Sequence, residues 1–202
     1  MIVRNWMSTD LVTIGKDVSI QEALAVMKRE SVRHLPVVDG EMRLEGWITD
    51  SDLRGVLIAS MLEELTVEDV MIRKPVTLDP EAPLEQAARI LLDNRIGGLP
   101  IVRDSVLLGI ITVVDILSAF ITFLGLFSDS TRLDVKVSGS PNPLPEITGI
   151  VRQHGAEIIS LCHLPAGEGP EFSYSIRLKK TDVKPIIAEL EDHGIAVVSV
   201  DS

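Results

Sequence analysis

The chain has 202 residues, 46% of them apolar but only 3% aromatic, and a formal net charge of −11, a length and balance that suit one domain or two small ones with an aliphatic core. Acidic residues outnumber basic ones throughout, 19 to 12 through Phe127 and 11 to 7 beyond it, and no Lys/Arg cluster occurs, which argues against sequence-independent binding to DNA or RNA. The one cysteine, Cys162, excludes an intrachain disulfide and points to a reducing compartment, the cytoplasm.

Residues 1–12 read as a lead-in anchored by Val3, Trp6 and Met7, without the basic start and apolar stretch of a secretory signal. Leu11 to Ile14 is a short extended piece. Ser19 followed by Glu22 is a capping-box signal, and Ile20, Ala23, Leu24 and Met27 give a helical stripe ending near Glu30. Leu35 to Gly40 is a strand into a turn, Leu44 to Thr49 the returning strand, and Asp50 to about Leu62 a second helix. The pattern then restarts. Val76 to Leu78 is extended, Leu84, Ala87, Ala88 and Leu91 form a stripe, and Leu99 to Val102 and Leu107 to Thr112 are strands. Val113 to about Phe127 is a helix that is apolar nearly all round and needs cover on more than one side. Asp115 interrupts the membrane-like run Val106 to Phe127, which therefore reads as buried or interfacial protein rather than a span.

Polar Ser128 to Ser130 marks a boundary. Leu133, Val135 and Val137 alternate as a strand, and Gly139 to Pro145 is a Pro-rich turn. Ile147, Ile150 and Val151 begin a helix ending at Gly155. Ile158 to Leu161 is a strand and Leu164 to Pro170 a hairpin loop. Phe172 to Leu178 alternate strictly, Val183 to Leu190 carry a last helical stripe closed by His193-Gly194, and Ile195 to Val200 is a final strand. The order β-α-β-β-α-β is the ferredoxin-like plan, and Cys162 reads as a small core residue. The fold class expected is mixed α/β (α+β).

The restart is an internal duplication. Met7 pairs with Met71, Thr13 with Thr77, Ala23 with Ala87 and Leu35-Pro36 with Leu99-Pro100, all offset by 64; past the turn the offset becomes 63. Both copies end on Gly-x-x-Thr-x-x-Asp, at Gly46, Thr49 and Asp52 and again at Gly109, Thr112 and Asp115. Residues 1–62 form repeat 1, 63–127 repeat 2, and 131–202 a separate tail domain.

On these residues the repeat pair resembles tandem CBS domains, whose two copies commonly pack into one Bateman module. The resemblance implies a ligand containing adenosine: AMP, ADP, ATP or S-adenosylmethionine. It implies that Asp52 and Asp115 hold ribose hydroxyls, that Thr49 and Thr112 hold phosphate, and that backbone groups near Leu35-Pro36 and Leu99-Pro100 hold adenine. It also implies that Arg33 and His34 reach phosphates; repeat 2 carries Gly97-Gly98 there, so the two sites should differ. Arg54 and Arg95 are further phosphate candidates. An Asp one turn after a Thr suits these roles, because free helix N–H groups favour phosphate and a carboxylate accepts two hydroxyl hydrogen bonds. The same Thr-x-x-Asp is also a plain helix cap.

The tail resembles an ACT domain, and the whole order resembles CBS–ACT proteins of the acetoin-utilisation type. Pro143 stands where ACT ligand loops commonly carry Gly, and its missing N–H and fixed φ argue against amino-acid binding there. No nucleophile–base pair, metal-ligand spacing or phosphate-binding Gly-rich loop is present in the sequence. The expectation is a non-catalytic, allosteric sensor that forms a homodimer; the rival is an interaction subunit whose Thr and Asp residues only cap helices.

Overall fold

The structure is a computed structural model describing residues 1–56, 64–138, 142–164 and 171–201. The end of the second helix toward Leu62, Gly139 and Pro141 of the Pro-rich turn, and the hairpin loop at 165–170 lie outside the described residues. Two compact units are present, Met1–Leu117 and Ser118–Ser202.

The first unit contains α1 (Ile20–Glu30), β1 (His34–Val38), β2 (Leu44–Thr49) and α2 (Asp50–Val56), then α3 (Val67–Val70), α4 (Leu84–Asn94), β3 (Gly98–Arg103), β4 (Val106–Thr112) and the start of α5 (Val113–Leu124). The Ser19 hydroxyl accepts the Glu22 N–H at 3.2 Å and starts α1, which is the N-cap half of the capping box expected there. The helices α1 and α4 both end on a residue in the left-handed region, Ser31 (φ 56°) and Arg95 (φ 54°). The hairpins β1–β2 and β3–β4 are antiparallel and bulge at equivalent places, Val37/Val38 and Ile101/Val102. The short extended pieces expected at Leu11 to Ile14 and Val76 to Leu78 each add a single parallel bridge, Ile14 to Val37 and Leu78 to Ile101.

The two repeats exchange their lead segments. Ser8 bridges Ile110 of β4, and Ile72 bridges Trp47 of β2. Val67 and Met71, which open the second repeat, are buried in the core of the first with Ile20, Leu35, Ile48 and Leu53. In return the Val3 N–H donates to the Ala82 carbonyl and the Leu84 N–H to Met1. This exchange explains the glycine of Gly-x-x-Thr-x-x-Asp. A Cβ on Gly109 would lie 2.5 Å from the Met7 sulfur, and one on Gly46 would lie 2.4 Å from that of Met71. Only a residue without a side chain lets the crossing methionine lie on the strand.

In the second unit, β5 (Ser130–Ser138), α6 (Leu144–Gln153), β6 (Ile158–Leu164), β7 (Glu171–Lys179), α7 (Lys184–Asp192) and β8 (Ile195–Asp201) give one antiparallel sheet in the order β6-β7-β5-β8. That order and connectivity follow the split βαβ plan. Leu133, Val135 and Val137 of β5 and Tyr174, Ile176 and Leu178 of β7 pack under Ile147, Ile150, Ile186 and Leu190 of the helices. His154 at the end of α6 meets Glu189 of α7 at 2.6 Å, and His193 at the end of α7 meets Glu146 of α6 at 2.8 Å.

Three local expectations are corrected. Helix α5 stops at Leu124 because Gly125 turns left-handed (φ 66°) and the Leu126 N–H closes back on Ile121. Leu144 and Pro145 belong to α6 rather than to the turn, since proline suits a first helical turn that needs no N–H donor. Cys162 is half-buried rather than core; it sits opposite Ser175, and the Ser175 hydroxyl binds Asp134.

Candidate functional site

Both Thr-x-x-Asp elements fold into the same hydrogen-bonded box at a strand-to-helix junction. Asp52 Oδ2 accepts the Thr49 N–H at 2.9 Å and the Thr49 hydroxyl at 2.6 Å, and the Asp52 N–H returns to Thr49 Oγ1 at 3.3 Å. In repeat 2 the corresponding distances for Thr112 and Asp115 are 2.8, 2.7 and 3.3 Å. The capping chemistry is therefore present in both copies. Each threonine hydroxyl has committed its proton to the aspartate and has none to give a phosphate. Each aspartate keeps Oδ1 free of hydrogen bonds from described residues, but only Asp52 lines a cavity.

A cavity of about 690 Å3 opens against Thr49 and Asp52, and one of about 330 Å3 against Thr112. They are mates under the repeat symmetry, but their linings carry different charge. Where the larger has Lys74 and Arg95, the smaller has Asp10 and Ser31; where the larger has Asp50 beside Thr49, the smaller has Val113 beside Thr112. The larger volume lies within the range of small-ligand sites and the smaller sits at its lower limit. Trp47, Ile72, Val76, Ile96 and Pro100 give the larger cavity apolar walls, while Arg33, Lys74 and Arg95 give it positive charge. Among the described residues none of these three cations has a carboxylate within ion-pair distance. Three cations without ion-pair partners, against two carboxylates (Asp50 and Asp52) in the same lining, stand out in a chain of net charge −11.

His34 lies in this wall. Its ring stacks on Trp47, with centroids 5.6 Å apart and planes 29° apart. Burial, and then the neighbouring Arg33, hold its imidazole below the ordinary range against a smaller opposing pull from Asp52. Arg33, His34 and Gly97 line both cavities.

The residues singled out from the sequence divide clearly. Thr49, Asp52, Arg33, His34, Pro100 and Arg95 gather at the larger cavity, and Thr112 lies at the smaller. Leu35 and Leu99 are fully buried, and neither they nor Pro36 nor Asp115 line either cavity; Asp115, expected to hold ribose, is engaged with Thr112 instead. Arg54 is bound to Asp50 at 2.7 Å outside the cavity and draws that carboxyl below its ordinary range. Lys74, Ile72 and Val76 went unnoticed as site residues because they sit in an aperiodic linker. The usable signal was their offset of 64 from Ser8, Asp10 and Val12.

The CBS-domain family model matches residues 3–59 and 67–122. A CBS domain-containing protein of Dictyostelium discoideum is 32% identical over 136 residues, covering 61% of this chain and 94% of its own. The inosine-5′-monophosphate dehydrogenase of Methanocaldococcus jannaschii is 39% identical over 111 residues, 54% of this chain but 21% of that enzyme. The chain thus spans about a fifth of the length of that enzyme relative. Among solved structures, the CBS domain pair of protein MJ0100 in complex with 5′-methylthioadenosine and S-adenosyl-L-methionine superposes with TM-score 0.55 at 30% identity, covering 59% of this chain and 95% of that one. A Vibrio cholerae protein assigned to acetoin utilization (AcuB) gives 0.58 at 29%, covering 63% and 96%. CBSX2 in complex with AMP gives 0.56 at 28%, covering 60% and 96%. With the duplicated box, the mated cavities and a family match over more than half its length, the chain belongs to the CBS-domain family as a tandem CBS pair.

Proposed function

We propose that the protein is a regulatory sensor whose larger cavity binds one adenine nucleotide per chain. The observation that carries this reading is the set of three unpaired cations, Arg33, Lys74 and Arg95, around an apolar-walled cavity closed by the Thr49–Asp52 box. In this reading Asp52 Oδ1 accepts the ribose hydroxyls, Trp47, Ile72 and Ile96 flank the adenine, and the cations take the phosphates. Ligands named with related CBS pairs, AMP in one and S-adenosyl-L-methionine with 5′-methylthioadenosine in another, support an adenosine class. Charge chooses within it. A sulfonium would face three cations, whereas the phosphates of AMP, ADP or ATP complement them. The smaller cavity keeps Arg33 but has Asp10 in place of Lys74 and Ser31 in place of Arg95, so it attracts phosphate less.

Binding acts on α2, because the ribose contact and the first turn of α2 share Asp52. A shift between two arrangements of that helix follows if the ligand prefers one of them, typically by about 1–3 kcal/mol. We assign residues 1–62 and 63–127 to the two CBS repeats and 131–202 to an ACT-like domain, supported by its β6-β7-β5-β8 sheet. A homodimer would cover the exposed apolar residues Val114 and Leu117 of α5 (60% and 57% exposed). The regulated partner is a protein, and one cysteine suits a cytoplasmic, non-catalytic role.

One observation favours a second reading. Both boxes satisfy their Thr and Asp residues internally, as a purely structural cap would, which suits an interaction subunit with degenerate sites. Titration calorimetry with AMP, ADP, ATP and S-adenosylmethionine, paralleled by Trp47 fluorescence, separates them. The sensor reading expects one nucleotide per chain and weaker binding of S-adenosylmethionine. Silence with all four ligands would leave only the interaction reading.

A further inference from the structure

The wall residue His34 gives the larger cavity a titratable group whose charge the ligand would control. The ring is wedged between Trp47, at 5.6 Å between centroids, and Gly97, where an added Cβ would lie 2.9 Å from Nε2. Its place beside the cations is therefore set by packing rather than by a flexible chain. The charged groups that share its two cavities are Arg33 next to it, Asp50 and Asp52 on α2, Lys74 on the crossing segment, Arg95 at the end of α4, and Asp10 on the side of the smaller cavity. With the cavity empty, burial and Arg33 keep the imidazole neutral near pH 7. A nucleotide phosphate brings about −1.5 to −2 charges into that space at neutral pH. An opposite charge within about 4–6 Å favours the protonated ring by about 1–3 pKa units.

We propose that filling the larger cavity with a nucleoside phosphate protonates His34, so that the site takes up a proton with its ligand and holds that ligand more tightly as the pH falls from about 8 to about 7. The proposal rests on the nucleotide reading above and adds a regulation to it: the sensor reports nucleotide and acidity together. The second repeat has no counterpart, since Gly98 occupies the position equivalent to His34.

The test is titration calorimetry of AMP into the full chain at about pH 7 and about pH 8, each in PIPES and in Tris, for wild type and His34→Gln. The two buffers differ in ionisation heat, so their difference counts protons. Wild type is expected to take up a fraction of a proton at the lower pH and to bind threefold or more tighter there, within the about tenfold that one pKa unit allows. H34Q is expected to lose that uptake; any proton exchanged by the AMP phosphate itself is common to both proteins and cancels. Equal proton counts in wild type and H34Q overturn the proposal while leaving nucleotide binding intact. Absence of binding heat in wild type overturns the nucleotide reading and this one with it. If H34Q does not fold, the imidazole proton resonances of wild type, titrated with and without AMP, decide the question. One ring must gain affinity for protons on adding AMP, and four unmoved rings refute the proposal.

Discussion

Replacing Gly109 with Ala puts a methyl group 2.5 Å from the Met7 sulfur and 3.0 Å from the Ser8 carbonyl oxygen. That oxygen accepts the Ile110 N–H at 3.0 Å, and the Ser8 N–H returns to Ile110 at 2.9 Å, so the backbone has little room to retreat. Overpacking of this kind costs about 1–3 kcal/mol. A loss of about 2 kcal/mol corresponds to a melting point lower by roughly 4–8 °C in a chain of this size. Trp6 and Trp47 both belong to the first unit, so their fluorescence follows its unfolding alone. The decisive readout is a double-mutant cycle. Truncating Met7 should relieve G109A, with a coupling of at least about 1 kcal/mol, and truncating Met71 should relieve Gly46→Ala in the same way. The crossed pairs, G109A with Met71→Ala and G46A with Met7→Ala, should add independently. Additivity of G109A with Met7→Ala, or relief of G46A by Met7→Ala, would refute the exchange of lead segments.

Arg95 sits in the left-handed region at the end of α4, where glycine is preferred, so Arg95→Gly should stabilise the fold by about 0.5–1 kcal/mol in urea melts while weakening AMP binding. Equal affinity would remove Arg95 from the phosphate site. Lys74→Ala should weaken AMP binding about fivefold (about 1 kcal/mol) at low salt and less as ionic strength rises, which calorimetry over a salt series would show. An unchanged dissociation constant would remove Lys74 from that site. Burial alone would raise the Asp134 carboxyl, but hydrogen bonds from Ser199 and Ser175, with Arg132 and Arg177 nearby, outweigh it and leave the group below its ordinary range. Its contribution is therefore present above the unfolded carboxylate pKa and lost as the pH falls through the folded one. Asp134→Asn should cost about 1–3 kcal/mol at neutral pH and progressively less toward acid, in urea melts across pH. A constant difference down to about pH 2 would contradict this assignment.

Much of the first unit could be read from spacing because a duplication prints the same pattern twice. The strands at Leu44–Thr49 and Val106–Thr112, the cap at Ser19 and the Thr-x-x-Asp boxes all formed where their local signals stood. Spacing identifies equivalent residues but not the copy on which each packs. Met7 and Met71 were matched correctly, yet their crossing to the opposite repeat is a tertiary fact with no local signature. The contrast of Arg33-His34 with Gly97-Gly98 announced unequal sites. Which site was roomy and cationic depended on Lys74 and Arg95, one in an aperiodic linker and the other in a helix end whose backbone turn aims it. In the second unit, strict alternation marked β5 and β7, whereas the core reading of Cys162 rested on its residue type, which does not show that 158–162 of β6 are all only partly buried.

The most direct test compares Asp52→Ala with Asp115→Ala in a thermal-shift titration with AMP. The two carboxylates make matching hydrogen bonds, so each substitution removes a similar cap, about 1 kcal/mol, and any difference between the variants belongs to the ligand. A site filled at 100 times its dissociation constant stabilises the fold by about 2.7 kcal/mol. The account predicts that wild type and D115A show this stabilisation and that D52A loses it. Loss in D115A with retention in D52A, or retention in both, would contradict the placement of the nucleotide at the larger cavity.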